Sequence, residues 1–144
     1  ANNTYYQMYN NWDNQCGGGI YWSRDRYTKR ENERWYKSSI TNAQHVDMGA
    51  RLYALTGNNA YKNIVDSVYM WMKNMRLIDT DYTVYDGLDA RTCDRSGDMY
   101  SYHTGELIAG LATLYKVTKE QFYLTEAHHH FNRLASYFAP NGIL

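Results

Sequence analysis

The chain has 144 residues and a formal net charge of zero. That size suits one domain, and the charge balance excludes the basic footprint of a nucleic-acid or anionic-membrane binder. Tyrosine is the strongest bias, with 16 copies against three phenylalanines. An apolar ring with a polar tip suits a wet, half-buried surface such as a sugar groove, though loop-rich cores use it as well.

The opening Ala1-Asn2-Asn3-Thr4 lacks the basic region and apolar core of a signal peptide and is expected to be a mature or clipped start. Asn2-Asn3-Thr4 is also an N-glycosylation sequon. Tyr5 to Trp12 is expected to be the tail of a helix. A long connection, 14–34, follows. It holds the aromatic, strand-like run Cys16-Gly17-Gly18-Gly19-Ile20-Tyr21-Trp22-Ser23 and then a mixed-sign charged run from Arg24 to Arg34, expected to be solvated. Ala43, Val46, Ala50 and Tyr53 recur at helical spacing, with Gly57 and Asn58 as the stop. Tyr61, Ile64, Val65, Val68 and Met72 mark a second helix. The connection 77–100 carries a second strand-like run, Tyr82-Thr83-Val84-Tyr85-Asp86-Gly87. Leu107, Ile108, Leu111 and Leu114 mark a third helix, and Tyr123, Ala127, Phe131, Leu134 and Phe138 a fourth. No apolar run is long enough to span a bilayer, so no transmembrane segment is expected.

The second half repeats the first. Leu52-Tyr53-Ala54-Leu55-Thr56 matches Leu114-Tyr115-Lys116-Val117-Thr118 at an offset of 62, with Ser39 on Ser101, Ala50 on Ala112 and Tyr61 on Tyr123. Each unit reads as ribbon, helix, tight turn and returning helix. Stacked helical hairpins bury their faces on neighbours, so two units and part of a third leave apolar faces open. The fold class expected is all-α, a partial (α/α)6 toroid of helical hairpins with short β-ribbon loops. Residues 1–144 are expected to form a single partial domain, a fragment of a larger barrel or one completed by another polypeptide. Cys16 and Cys93 both lie on inter-helix connections. A disulfide is expected there, contributing roughly 4 kcal/mol in the chain-entropy model, with two free thiols as the alternative.

In chain order, Cys16 to Trp22, Tyr36-Lys37-Ser38-Ser39-Ile40-Thr41-Asn42, Ala50-Arg51-Leu52-Tyr53 and Thr56-Gly57-Asn58 are followed by three more segments. These are Val84-Tyr85-Asp86-Gly87, Tyr100-Ser101-Tyr102-His103-Thr104-Gly105 and Phe138-Ala139-Pro140-Asn141-Gly142-Ile143-Leu144. Together they resemble glycoside hydrolase family 76, the α-1,6-mannanases and their fungal cell-wall relatives. The resemblance implies an (α/α)6 barrel around a central groove and retaining endo-hydrolysis, or transglycosylation, of α-1,6-mannan. It implies an α-mannan or related cell-wall glycan as partner, an extracellular or cell-surface location, and no nucleic acid. The family's catalytic residues are an adjacent Asp-Asp pair upstream of the Cys-Gly-Gly segment, and no Asp-Asp occurs in this chain. A retaining pair needs two carboxyls about 5–5.5 Å apart, so no catalytic residue is assigned. His103 stands where the family usually has Asn.

Tyr21, Trp22 and Tyr85 are candidates to stack on sugar rings; their alternative role is to cap the helical core. Asp86 would bind hydroxyls or merely close a turn with Gly87. Lys37, Asn42, Tyr102 and His103 lie near helix starts, where polar groups reach a toroid's mouth, and capping is the alternative for Asn42. Glu106 is read as a favourable helix-start charge. His128-His129-His130 cannot converge on one ion, because consecutive helical residues point about 100° apart, and is read as an exposed flank. No metal or cofactor is expected. The function expected is part of an α-1,6-mannan glycosidase. A non-catalytic mannan-binding or structural module is the alternative, and another α/α toroid, such as a sugar epimerase, a weaker one.

Overall fold

A computed structural model describes residues 2–142. Ile143 and Leu144, the end of the last segment quoted above, lie outside them. The chain runs α1 (Asn2–Tyr9), a 3-10 turn (Gln15–Gly17), α2 (Glu31–Arg34), β1 (Tyr36–Ser38), α3 (Ser39–Thr56), α4 (Asn59–Asn74), β2 (Gly87–Asp89), α5 (Ser101–Thr118) and α6 (Gln121–Phe138).

The repeat is literal at the level of the backbone. The helix starts Ser39 and Ser101, and again Asn59 and Gln121, are 62 positions apart. The two hairpin turns use the same chemistry. Thr56 and Thr118 each donate back to the carbonyl four residues earlier and accept from the backbone N–H two residues on. Each α3 and α5 end then turns through a left-handed residue, Gly57 (φ 67°) in one case and Lys119 (φ 61°) in the other. A left-handed C-terminal residue satisfies the last carbonyls of a helix, and glycine does so with least steric cost.

α3 and α5 form the most extensive helix pair, and each carries its own returning helix, α4 or α6. Small residues on α3 (Ala43, Val46, Ala50) meet Leu107, Leu111 and Leu114 of α5 in the core. Each of those leucines stabilises the fold by about 2 kcal/mol through burial. α4 adds Val65, Val68 and Met72, and α6 adds Tyr123 and Ala127.

Three expectations need correction. Phe131 is exposed, because the buried stripe of α6 runs through Tyr123, Glu126, Ala127 and His130. His130 is therefore not on an exposed flank: its Nε2 lies 3.0 Å from the Tyr69 hydroxyl, which donates to Glu126. The ribbon is also not internal to each connection. β1 from one connection pairs antiparallel with β2 from the other, Tyr36 opposite Asp89 and Ser38 opposite Gly87. The glycine run itself contributes only an isolated bridge, Trp12 to Ile20.

Candidate functional site

The cross-connection ribbon sets three extended segments side by side just ahead of the starts of α3 and α5. The Trp22 N–H donates to the Tyr36 carbonyl at 2.8 Å, and the Ser39 N–H donates to the Asp86 carbonyl at 2.7 Å. Side chains alternate across extended backbone, so Tyr36 and Ser38 face one side and Lys37 the other. On the Tyr36 side lies an open depression of about 220 Å³, lined by Trp22, Asn32, Glu33, Tyr36, Asp86 and Tyr102, with Ser38 and Ile40 beneath. Trp22 and Tyr102 are 52% and 51% exposed, so each offers part of a ring face to solvent.

Asp86 is the chemical centre of the depression. Its Oδ2 accepts a hydrogen bond from the Tyr36 hydroxyl. Its Oδ1 lies 3.4 Å from Nε2 of His103, which is fully buried beneath it. Burial, reinforced by Asp86, raises the Tyr36 phenol above its ordinary range, so it stays a donor. Burial lowers the His103 pKa, against the opposing pull of Asp86, so the imidazole is neutral at pH 7. Half-exposed aromatic faces beside acceptor and donor groups can stack on a polyhydroxylated ring and bind its hydroxyls.

The structure divides the residues singled out from sequence. Trp22, Asp86 and Tyr102 line the depression, with His103 directly under Asp86. Lys37, Asn42, Tyr21 and Tyr85 do not, and each has an internal role instead. Lys37 is fully buried on the far side of the ribbon. Its three ammonium hydrogens are spent on Asp13 (2.7 Å), the Gln15 carbonyl (2.7 Å) and the Gly18 carbonyl (2.5 Å). A buried charge is tolerated only when paired and hydrogen-bonded in this way. Asn42 accepts from the Ile20 N–H and donates to the Ile20 and Ser38 carbonyls, pinning the glycine run to α3. Tyr21 is buried, with the Arg26 guanidinium 3.2 Å and the Lys37 ammonium 4.5 Å from its ring centre. Tyr85 points away from Asp86 by the same alternation and lies under Arg95 at 3.8 Å.

Sequence reasoning missed Asn32, Glu33 and Tyr36 as lining residues. The signal for Tyr36 was the two-residue alternation of Tyr36-Lys37-Ser38. Asn32 and Glu33 had none, because α2 sits inside a charged run that reads as solvated loop.

Two devices fix the floor of the site. Cys16 and Cys93 form a disulfide with a Cα–Cα distance of 5.5 Å, tying the two connections together behind the ribbon. The glycine triplet lets the backbone press against two indoles. A Cβ at Gly18 would fall 2.3 Å from the Trp12 ring, and one at Gly19 would fall 2.2 Å from Trp71, with φ of 137° and 93°. The Trp71 indole N–H then donates to the Cys16 carbonyl at 3.0 Å.

Comparison with known proteins matches the whole chain, residues 1–144, to the model of glycosyl hydrolase family 76. It is similar to the mannan endo-1,6-alpha-mannosidase DFG5 of Candida albicans, 31% identical over 141 residues, covering 92% of this chain and 31% of that protein. Among solved structures, Dfg5 of Chaetomium thermophilum in complex with glucosamine superposes with a TM-score of 0.88 at 26% identity, over 94% of this chain and 33% of the other. An inactive variant of the α-1,6-mannanase GH76A of Salegentibacter, bound to α-1,6-mannotetrose, gives 0.79 at 21% identity, over 94% and 39%. The chain spans 26 to 31% of the length of the curated relatives it matches first.

Proposed function

The chain belongs to glycosyl hydrolase family 76, and from that premise we propose that it forms one wall of the substrate groove of an α-1,6-mannan-acting glycosidase. The observation that carries this reading is the pair of half-exposed aromatics, Trp22 and Tyr102, that line one depression together with Asp86. In this reading the rings stack on mannose units, and Asp86, Asn32 and Glu33 bind hydroxyls. The nucleophile and acid/base come from polypeptide beyond these residues. The inactive Salegentibacter mannanase carries substitutions at two consecutive aspartates, and no Asp-Asp occurs in this chain. The same missing polypeptide covers the exposed apolar side chains Leu55, Phe122, Phe131 and Tyr137 and closes the barrel. A disulfide fits an oxidising, extracellular or cell-surface location. Among the described residues no helix is long and apolar enough to cross a membrane.

The test is calorimetric titration of α-1,6-mannotetraose into the complete polypeptide that carries these residues. Trp22→Ala should weaken binding by about tenfold or more, one stacked ring's worth of free energy, and leave thermal stability nearly unchanged. Unchanged affinity would remove the groove assignment. The second reading is a non-catalytic mannan-binding module, supported by the same half-exposed aromatics. Binding without turnover or transfer by the complete polypeptide would establish it in place of the first.

A further inference from the structure

His103 is a buried polar group beneath the depression whose ring nitrogens have no assigned work among the described residues. It is fully buried, and neither ring nitrogen has a hydrogen-bond partner among the described residues. Buried polar atoms are almost always paired, so two orphans on one ring at a candidate site call for an explanation. The ring is held in place rather than loose. The Tyr102 ring meets it edge-on with centroids 4.3 Å apart, and Tyr100 does so at 5.6 Å. So held, Nε2 lies 3.4 Å from Asp86 Oδ1, near it but out of hydrogen-bond alignment. An N–H···O bond normally spans about 2.7–3.2 Å and is close to linear, so a small shift together with a small turn of the ring or carboxylate would form it. Contacts of this kind commonly tighten only when ligand arrives.

We propose that His103 is a positioning residue for Asp86: its Nε2–H donates to Oδ1 while the Tyr36 hydroxyl holds Oδ2, fixing the carboxylate for glycan hydroxyls. A carboxylate tethered through one oxygen can swing about its last bond. One donor on each oxygen stops that rotation and still leaves lone pairs on both for the ligand. Asp86 keeps 25% of its side chain exposed, toward the depression that Trp22 and Tyr102 line. A neutral imidazole carries a single N–H. Placing it on Nε2 gives the buried donor its acceptor and leaves Nδ1 with the lone pair. This inference rests on the groove reading above.

Two substitutions separate positioning from packing, both made in the complete polypeptide. His103→Phe keeps an aromatic ring and loses the donor; His103→Gln loses the ring and keeps an amide N–H near the Nε2 position. Positioning predicts that His103→Phe weakens α-1,6-mannotetraose binding about tenfold while His103→Gln stays within about threefold of wild type. Wild-type affinity in His103→Phe, or equal losses in both, would overturn it. The imidazole 15N spectrum of the wild type should show the Nε2–H tautomer, with a shift on Asp86→Ala. An Nδ1–H tautomer would overturn the proposal whatever the variants do, including failure of His103→Phe to fold. Should Trp22→Ala leave mannotetraose binding unchanged, the groove reading falls, and the spectrum still decides the His103–Asp86 contact.

Discussion

His45 gives the sharpest prediction about stability. Its ring stacks on Tyr5 with centroids 3.9 Å apart and planes 7° from parallel, and lies 5.7 Å from Tyr9. It is fully buried with both nitrogens unpartnered among the described residues. Burial alone pushes its pKa from 6.5 down to about 4. The folded pKa is thus below the unfolded one. Between pH 6.5 and 4 the unfolded chain holds a proton that the folded chain refuses, and stability falls as the pH falls. The contribution is complete above pH 6.5 and gone below about 4. At about 1.4 kcal/mol per pKa unit the total comes to about 3 kcal/mol. Urea unfolding of wild type and His45→Phe at pH 7, 6, 5 and 4 reads this directly. Any cost of fitting the larger ring displaces the whole curve. The titration instead appears as a difference that moves in the variant's favour by about 3 kcal/mol across the range. His130, whose pKa burial also lowers to about 4, is present in both proteins and cancels. Parallel curves would refute the reasoning.

Other perturbations have equally defined outcomes. Replacing Cys16 and Cys93 by Ser should cost about 4.5 kcal/mol in the chain-entropy model for a separation of 77 residues, read as a fall in thermal midpoint. Alkylation of two thiols in the native, unreduced protein would contradict the bridge. Lys37→Met removes a buried ammonium and strands three acceptors, so chemical denaturation should show a loss of about 3–5 kcal/mol. A loss under 1 kcal/mol would mean that water or relaxation replaces the ammonium. Gly19→Ala forces a methyl against the Trp71 ring in a left-handed backbone, and about 3 kcal/mol or more should be lost by the same assay. Gly57→Ala, in open space, should lose only about 1 kcal/mol, and equal losses at the two sites would refute the steric account.

The helices were legible because their evidence is local and periodic. Val65, Val68 and Met72 mark one face of α4, and Gly57 marks where α3 stops. The offset of 62 was legible for the same reason and recurs in the turns at Thr56 and Thr118. The site was less so, because it forms from pairings between distant residues. Nothing near Lys37 reveals that Asp13, Gln15 and Gly18 wait for its ammonium. Position beside a helix start suggested a sugar contact, while strand alternation sent the side chain the other way. Trp22 and Asp86, on the extended segments, and Tyr102, in the first turn of α5, line the depression because each stands where an extended segment meets a helix start. Phe131 and His130 exchanged roles because a buried Glu126–Tyr69 hydrogen bond, invisible to hydrophobic periodicity, selects which neighbour on α6 turns inward.

The cross-connection ribbon also bears on how the chain acquires its fold. Each hairpin closes through a short turn and can form early, whereas Tyr36 must find Asp89 across 53 intervening steps of chain. Contacts so remote in sequence are paid in loop-closure entropy and assemble late. The depression, made of those late contacts, is therefore the last part of this unit to exist. Oxidation changes that order. The Cys16–Cys93 bridge joins the same two connections that β1 and β2 join, so closing it brings the ribbon's partners together. Early oxidation shortens the search for the ribbon, and refolding from the oxidised unfolded chain should outpace refolding from the reduced one.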